Sequence, residues 1–235
     1  MSEELVTFFD DATGERVGLT APDLGRWAAA TAELLTAECG LPRGGRAGVL
    51  LPPHWQTAAV LLGAWAAGIE VSFRGWSTAG LGPETGPALD ATFVERRRVG
   101  SWLEDVPPAR HQFVLGLAPS GAPTPDVPAG YRDFPQAARS HLGAPPPAGG
   151  IGAGENATVD GTTFGEYGAV AAELARSRGI SAGDRVLFDT AAQEEPLIWL
   201  MAPLTAGASI VLCANLDRSQ LDTRIATERV TQVAL

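Results

Sequence analysis

The chain has 235 residues, of which 45% are hydrophobic, and a formal net charge of -10. This length and apolar content suit one large α/β domain or two small ones and exclude a globally disordered chain. The acidic charge argues against nucleic acid and anionic membrane as partners, because both are polyanions. All 17 basic residues are arginine. The lack of lysine excludes Schiff-base chemistry and a Walker A site.

No segment predicts export or membrane insertion. Residues 1–4 are acidic rather than basic, and the longest apolar run, residues 58–69, is too short to span a bilayer. The two cysteines, Cys39 and Cys213, lie far apart in apolar surroundings. We expect them to be reduced core residues rather than a disulfide. Together these features predict a cytoplasmic protein.

The first part of the chain predicts alternating strands and helices. Residues 5–9 and 16–20 flank a turn, which indicates a β-hairpin. Thr20 and Asp23 form a capping box that begins a helix, and Gly40 ends it. A strand, a helix and a second strand are then predicted at residues 46–51, 52–67 and 69–73.

The middle of the chain has weaker secondary-structure signals. A loop is predicted at residues 74–90, strands at residues 91–94 and 112–117, and a helix at residues 132–142. The basic run at residues 96–98 is interpreted as a solvated face. The six tryptophans, among them Trp102, are expected mostly in the core. Residues 143–157 are rich in glycine and proline, which predicts a linker.

After this linker the first pattern returns. Thr163 and Glu166 form another capping box, followed by an amphipathic helix. Its apolar face is predicted to carry Phe164, Tyr167, Val170, Ala171 and Leu174. Strand, helix, strand, helix and strand follow at residues 185–189, 196–206, 209–213, 217–228 and 230–235. One offset of 139 residues relates Gly40 to Gly179, Gly44 to Gly183, Arg46 to Arg185 and Gly68 to Gly207. This offset indicates an internal duplication of one αβαβ unit.

These patterns predict an α/β fold of two similar subdomains, each with a parallel or mixed sheet packed by helices. We expect the first subdomain at residues 1–142, the linker at 143–157 and the second subdomain at 158–235. The two subdomains are expected to form one compact domain overall.

Few residues suggest a functional site. His54, His111 and His141 lack the spacing of metal ligands, so no metal site is predicted. His54 and Trp55 lie at a turn from strand to helix, where open α/β sheets bind ligands. They are therefore weak candidates for a binding site.

Two segments, residues 19–73 and 163–235, resemble the N-terminal part of acyl-CoA synthetases and other adenylate-forming, AMP-binding enzymes. The resemblance is carried by Gly40-Leu-Pro-Arg-Gly-Gly-Arg46, Val49-Leu-Leu-Pro52, Gly63-Ala-Trp-Ala-Ala-Gly68, Gly183-Asp-Arg185 and Ala202-Pro-Leu-Thr-Ala-Gly207. It implies two similar subdomains, as the duplication does. The short length and the segment His54-Trp-Gln-Thr-Ala-Ala-Val60 look most like small, uncharacterised actinobacterial relatives of these enzymes, and the all-arginine composition suits a GC-rich genome.

The departures from this family concern its catalytic parts. The family's glycine-rich phosphate loop should precede the helix at Thr163, where the chain has only Asp160-Gly161-Thr162-Thr163. This segment is either a remnant of that loop, with Thr162 and Thr163 as weak ligand candidates, or a helix cap, which we favour. The sequence ends before the family's adenine-binding and magnesium-binding motifs and its lid, and it has no lysine to act as the catalyst.

The resemblance therefore implies a non-catalytic binding or interaction module, a pseudoenzyme with no catalytic residues and no cofactor. Binding of AMP, ATP or coenzyme A has no support from motifs. The alternatives are a vestigial or partner-completed ATP-dependent acyl ligase, or a sensor of AMP, acyl or coenzyme A ligands. A second copy of the chain or another protein is the expected partner, because the resemblance leaves sheet edges to cover.

Overall fold

A computed structural model describes residues 3–78, 88–102 and 106–234. The strands are β1 (Glu4–Asp10), β2 (Glu15–Thr20), β3 (Arg46–Leu50), β4 (Glu70–Phe73), β5 (Leu89–Glu95), β6 (Ala109–Leu115), β7 (Arg132–Asp133), β8 (Arg185–Asp189), β9 (Ser209–Ala214) and β10 (Gln232–Ala234). The α-helices are α1 (Ala21–Glu33), α2 (Trp55–Ala66), α3 (Phe134–Arg139), α4 (Phe164–Ser177), α5 (Ala202–Ala206) and α6 (Leu221–Glu228).

The strands form two five-stranded sheets, which confirms the predicted α/β class. One sheet, here the hairpin sheet, has the order β10-β8-β9-β1-β2, and only the β1–β2 pair is antiparallel. The other, the parallel sheet, has the order β4-β3-β5-β6-β7 with every pair parallel. Buried strands with continuous apolar runs, such as β3 and β8, occupy the interior of these sheets, as expected for strands covered on both faces.

The chain divides into two compact units that are discontinuous in sequence. The hairpin unit contains Met1–Leu24, Pro53–Trp55 and Glu166–Leu235, and the parallel unit contains Gly25–Pro52 and Gln56–Gly165. The N-terminal hairpin, which the sequence analysis placed with the first subdomain, thus belongs with the C-terminal segment. The reason is the parallel pairing of β1 with β9, from Val6 opposite Ile210 onward.

Each unit has its own apolar cluster. In the parallel unit, Leu50, Val94 and Val114 from three adjacent strands are buried together. In the hairpin unit, Leu187, Val211 and Cys213 are buried with Phe9 packed against them. Cys39 and Cys213 are both free and buried, in agreement with the sequence analysis.

The predicted duplication is visible as repeated backbone geometry. Gly68 and Gly207 have φ angles of 72° and 78°, and Gly44 and Gly183 have φ angles of 76° and 84°. This left-handed region favours glycine, which explains why these residues recur. The Gly44 amide donates to the Gly68 carbonyl at 2.8 Å, and the Gly183 amide donates to the Gly207 carbonyl at 3.0 Å. Both copies then pair a strand that begins with arginine in parallel with the strand that follows.

Several local predictions are confirmed and others need correction. The Thr20 amide donates to the Asp23 carboxylate at 3.0 Å and the Asp23 amide donates to the Thr20 hydroxyl at 3.3 Å, as a capping box requires. Helix α1 continues into a π-helical turn at Leu34–Glu38, which the apolar pattern did not reveal. The helix predicted at residues 132–142 begins only at Phe134, because Asp133 accepts from the Gln136 amide as its N-cap. The loop predicted at residues 74–90 lies partly outside the described residues.

The segment predicted to be an unordered linker, residues 143–157, has fixed contacts at its C-terminal end. Arg43 pairs with Glu155 at 2.6 Å, and Asn156 donates to Glu70 at 2.9 Å. The Trp65 indole donates to the Ala157 carbonyl at 3.0 Å. Side chains from earlier elements thus order this part of the segment, although its own composition is poor in apolar residues.

Three predictions of burial are wrong. Trp102, expected in the core, is 90% exposed, and Arg98, expected on a solvated face, is completely buried. Val170, expected on the buried face of α4, is 46% exposed. Ala171, which was predicted on this face, is buried as expected, and so is Ala175.

Across the residues that the structure describes, no helix is both long enough and apolar enough to cross a membrane.

Candidate functional site

The first predicted site residues lie where β3 passes into α2. Pro52 and Pro53 interrupt the strand, and α2 begins at Trp55. The side chains of His54 and Trp55 are 1% and 3% exposed. The position predicted from the strand-to-helix turn is therefore correct, but both side chains fill the interior of the protein.

His54 is packed as a neutral aromatic ring. Its imidazole meets the Phe8 ring edge-on, with 4.3 Å between ring centroids. Complete burial lowers the pKa of His54 to about 3, because a charged ring would lose its hydration. At neutral pH the ring carries no charge and is not placed to meet an anion.

The residues that follow in α2 are also engaged. The Gln56 amide nitrogen donates to the Ala118 carbonyl at 2.9 Å, and the Thr57 hydroxyl donates to the Pro52 carbonyl at 2.6 Å. These contacts fix the turn to its neighbours, as expected for a packed turn with buried polar groups.

The second pair of predicted residues lies in the loop before α4, which we call the Asp160 loop (residues 155–163). The Asp160 carboxylate accepts from the Thr162 amide at 3.0 Å and from the Thr162 hydroxyl at 2.9 Å. It also accepts from the Thr158 hydroxyl. Thr163 forms an antiparallel bridge with Asn156, so the two ends of the loop are held together.

Most of the backbone amides in the Asp160 loop donate hydrogen bonds to acceptors within the loop or in neighbouring segments. The Gly161 amide donates to Thr158, and the Val159 amide donates to Val71. The Phe164 amide, at the start of α4, donates to the Glu155 carbonyl at 2.8 Å. Between residues 155 and 165, the amides that donate to an acceptor in the protein include those of Glu155, Ala157, Thr158, Val159, Gly161, Thr162, Phe164 and Gly165.

The centre of the Asp160 loop carries a negative charge. Hydrogen bonds from the Thr158 hydroxyl, and then from Thr162, lower the pKa of Asp160 below its ordinary value, because they favour the ionised carboxylate. Asp160 itself was not among the predicted site residues. The threonines two residues before and after it were the available signal, since aspartate commonly closes such turns through its own side chain.

The structure does not bring the two predicted pairs into one unit. His54 and Trp55 belong to the hairpin unit, whereas Thr162 and Thr163 belong to the parallel unit. An open depression of about 280 Å³ lies in the hairpin unit between α4 and the end of α5, lined by residues such as Ala172, Ala175 and Thr205. Alanine and glycine make up half of its eight lining residues, and its polar side chains are those of Arg176, Ser181 and Thr205.

The described parts of the chain hold no group of three or more histidine, cysteine, aspartate or glutamate side chains that could bind a metal ion. His111 and His141 have different neighbours: Arg110 donates to His111 at 3.1 Å, and His141 lies 2.7 Å from Glu38.

Comparison with known proteins identifies the family of this chain. A Mycobacterium tuberculosis protein named as a TIGR03089 family protein is 36% identical over 232 residues, covering 97% of this chain and 90% of that protein. The chain belongs to the TIGR03089 family. No family model matches the chain. The actinobacterial origin expected from the composition stays a prediction, although this TIGR03089 relative is mycobacterial.

Solved structures show the fold that this TIGR03089 member shares. The N-terminal domain of FACL13 from M. tuberculosis matches with a TM-score of 0.68 and 16% identity, covering 97% of this chain and 58% of that domain. An acyl-CoA synthetase from Brucella canis matches with a TM-score of 0.67 and 17% identity, over 99% of this chain and 44% of the synthetase. The acetoacetyl-CoA synthetase from Streptomyces lividans matches with a TM-score of 0.70 and 17% identity, over 99% and 40%.

These matches confirm the resemblance seen in the sequence. The TIGR03089 chain has the fold of the N-terminal domain of acyl-CoA synthetases and spans about half of the length of the structures it matches.

Proposed function

We propose that this TIGR03089 chain is a non-catalytic binding or interaction module built on the N-terminal fold of the adenylate-forming enzymes. The observation that carries this proposal is the closed Asp160 loop. This loop lies where the sequence resemblance expects the phosphate-binding loop of the family, immediately before α4.

A phosphate-binding loop works by presenting unoccupied backbone N–H groups to an anion. In the Asp160 loop, the amides of Ala157, Thr158, Val159, Gly161 and Thr162 already have acceptors. A triphosphate would have to replace these hydrogen bonds before it gained any of its own. The ionised Asp160 carboxylate would also repel it at short range. Both effects oppose nucleotide binding at this loop.

The composition supports the same conclusion. Transfer to the α-phosphorus of ATP develops negative charge that positioned cations must stabilise. The chain has no lysine, so arginine is the only permanently cationic side chain available. The Arg43 guanidinium, which lies against the Asp160 loop's first residue, already pairs with Glu155 at 2.6 Å.

Pyrophosphate exchange tests the catalytic part of this proposal. The purified chain is incubated with magnesium, ATP, labelled pyrophosphate and a panel of carboxylic acids from acetate to long-chain and aryl acids. We expect no exchange above a heat-denatured blank, while an active acyl-CoA synthetase in the same assay exchanges readily. Acid-dependent exchange that follows the protein through gel filtration would contradict the proposal and favour an acyl ligase.

Thermal-shift measurements distinguish a sensor that binds AMP or coenzyme A from a module that binds no nucleotide. Any ligand that binds the folded state alone raises Tm, by roughly 5 to 11 °C at about 100 times its Kd. We expect no rise with ATP, AMP or coenzyme A. A rise with AMP or coenzyme A in a chain without exchange activity would favour the sensor. A rise with ATP that the replacement Gly161→Trp abolishes would show that the Asp160 loop accepts phosphate after all.

A further inference from the structure

The turn that follows β5 has an unusual composition for this acidic chain. It lies at the carboxyl end of a strand in the parallel sheet, the edge at which open α/β sheets present ligand-binding loops. We call residues 96–102 the Arg–Trp turn, because it contains Arg96, Arg97, Arg98 and Trp102.

A buried arginine fixes the shape of the Arg–Trp turn. The Arg98 side chain is fully buried, and its Nη1 donates to the Arg74 carbonyl at 2.8 Å. The guanidinium carbon also lies 4.8 Å from the centre of the Trp76 ring. The Trp76 indole in turn donates to Glu95 at 2.8 Å. Since both partners of Arg98 come from the segment after β4, the turn is held against a neighbouring part of the same unit.

The backbone of the Arg–Trp turn is also ordered. The Arg98 amide donates to the Glu95 carbonyl at 2.9 Å, and the Ser101 amide donates to the Arg98 carbonyl at 3.1 Å. Two successive turns therefore lead from β5 to Trp102. A pre-ordered surface loses little conformational entropy when it binds a partner.

Two side chains of the Arg–Trp turn are largely exposed, whereas Arg96 is half-buried and Val99 packs against the core cluster that contains Leu50. Trp102 is 90% exposed, and the Arg97 side chain is 78% exposed. Arg97 uses its Nε on Glu95, and Arg96 uses its Nε on the Asp126 carbonyl at 3.1 Å. Within the ranges that the structure describes, the terminal Nη groups of both arginines have no hydrogen-bond partner, and the Arg97–Glu95 contact is also an ion pair.

An exposed tryptophan in the same turn as one exposed and one half-buried arginine is typical of a protein-binding surface. Tryptophan and arginine are the residues most enriched among those that dominate interface energies. The two arginines favour carboxylates, which they can bind in a bidentate way.

The charge of the whole chain narrows the kind of partner. A bilayer or a nucleic acid is larger than the turn, so it would also contact the rest of this chain. Because the chain has a net charge of -10, that contact would be repulsive. A short acidic segment contacts the turn alone, and at physiological salt the rest of the chain is screened beyond about 8 Å.

We propose that the Arg–Trp turn is a docking site for an acidic segment of a partner protein. In this complex, carboxylates of the segment pair with Arg96 and Arg97, and one apolar side chain covers Trp102. The proposal deepens the binding role proposed above and rests on it, but it uses residues that lie outside the Asp160 loop.

Fluorescence anisotropy with labelled peptides tests this docking site. The probes are glutamate-rich dodecapeptides with a central leucine or phenylalanine, a glutamate-rich peptide without the apolar residue, and a lysine-rich counterpart. We expect the acidic apolar peptides to bind, and binding to weaken as sodium chloride increases. The substitutions Arg97→Glu and Trp102→Ala should each weaken binding by about tenfold.

The matched controls are Arg176→Glu and Val170→Ala, which change an exposed arginine and an exposed apolar residue on α4. These variants should bind the acidic peptides as the unmodified chain does. Arg98 is left unchanged because it holds the turn. Circular dichroism and Tm must show that each variant remains folded.

Four outcomes would overturn the proposal. These are no binding by any peptide up to about 1 mM, equal binding by the turn variants, binding of oligo(dT) or phosphatidylserine vesicles in preference to the acidic peptides, and self-association that Trp102→Ala removes. Failure here leaves the exchange and nucleotide results unchanged, so it is distinguishable from failure of the proposed function.

Discussion

Arg185 at the start of β8 and Glu228 at the end of α6 form a buried ion pair, with Nη2 and Oε2 2.9 Å apart. The side chains are only 11% and 6% exposed. Arg16 reaches the same carboxylate at 3.0 Å, and Arg185 also donates to the Thr7 hydroxyl at 2.7 Å. Burial alone would raise the pKa of Glu228, but the hydrogen bonds from Arg16 and Arg185 outweigh it and the pKa is lowered.

Replacing Glu228 should therefore destabilise the hairpin unit strongly. Glu228→Gln leaves two arginines near a neutral group, and the unfolding free energy should fall by about 3 kcal/mol in urea titrations at pH 7. Arg176→Gln is the control, because its pair with Glu173 is exposed on both sides and should contribute less than about 0.5 kcal/mol. If the unfolding free energy fell equally in the two variants, the buried ion pair would not be more stabilising than the exposed one.

His54 predicts a pH dependence of stability. Its pKa is about 3 in the folded chain and close to the ordinary value of about 6.5 in the unfolded chain. Below pH 6.5 the unfolded state binds a proton that the folded state refuses, so stability falls with pH until about pH 3. Between pH 7 and pH 5 the loss from this group should be about 2 kcal/mol.

Urea titrations of the unmodified chain and of His54→Gln at the two pH values measure this contribution. The difference between their pH dependences isolates His54 from the carboxylates, which are common to both proteins. If the two proteins lost the same stability on going from pH 7 to pH 5, the buried neutral ring would not be the cause.

At Gly63, helices α2 and α1 approach too closely to accommodate a larger residue. A Cβ placed on Gly63 would lie 2.5 Å from the Ala28 carbonyl oxygen and 2.5 Å from the Thr31 Cβ. Gly63→Ala should therefore cost about 1 to 3 kcal/mol of unfolding free energy through overpacking.

Gly25→Ala is the matched control for this prediction. Gly25 lies in α1, and a Cβ there would meet nothing within 4 Å. This replacement should stabilise the chain by about 0.5 to 1 kcal/mol, since alanine loses less backbone entropy in a helix. A stabilising Gly63→Ala would show that the two helices can separate at little cost.

Replacing Asp160 tests how its carboxylate contributes to the stability of the loop and to the exclusion of phosphate. Asp160→Ala removes the acceptor of the Thr158 and Thr162 hydrogen bonds, and the unfolding free energy should fall by about 1 kcal/mol. We expect ATP to leave Tm unchanged in the variant as in the parent, because the other amides of the loop keep their acceptors. An increase of Tm with ATP in the variant alone would mean that the carboxylate, rather than the closed backbone, excludes phosphate.

Much of the fold could be predicted because local signals and burial agreed. The Thr20 capping box, the apolar strand at β3 and the glycine pairs such as Gly44 and Gly183 each demand one backbone geometry, and the structure has it. The pairing of β1 with β9 could not be predicted, since it joins residues at opposite ends of the chain and leaves no periodic signal. Hydrophobicity also failed for Trp102 and Arg98, whose burial depends on neighbours distant in sequence.

The candidate sites were predicted only in position. The turn at His54 lies at the end of β3 as the pattern indicated, but its side chains are buried by contacts such as that with Phe8. Before α4 the sequence favours a helix cap over a phosphate loop. The hydrogen bonds of Asp160 explain why the segment is closed, and they depend on side-chain geometry that composition does not specify.

The position of β1 in the hairpin sheet affects how the chain is synthesised. Val6 pairs with Ile210 on one side and with Leu19 on the other. On a ribosome the first hairpin emerges about 200 residues before its parallel partner, and domains generally fold as their segments become available. The β1 edge must stay unpaired while the whole parallel unit is translated, so a nascent chain stalled before β9 would offer that edge to chaperones or to its neighbours on the polysome.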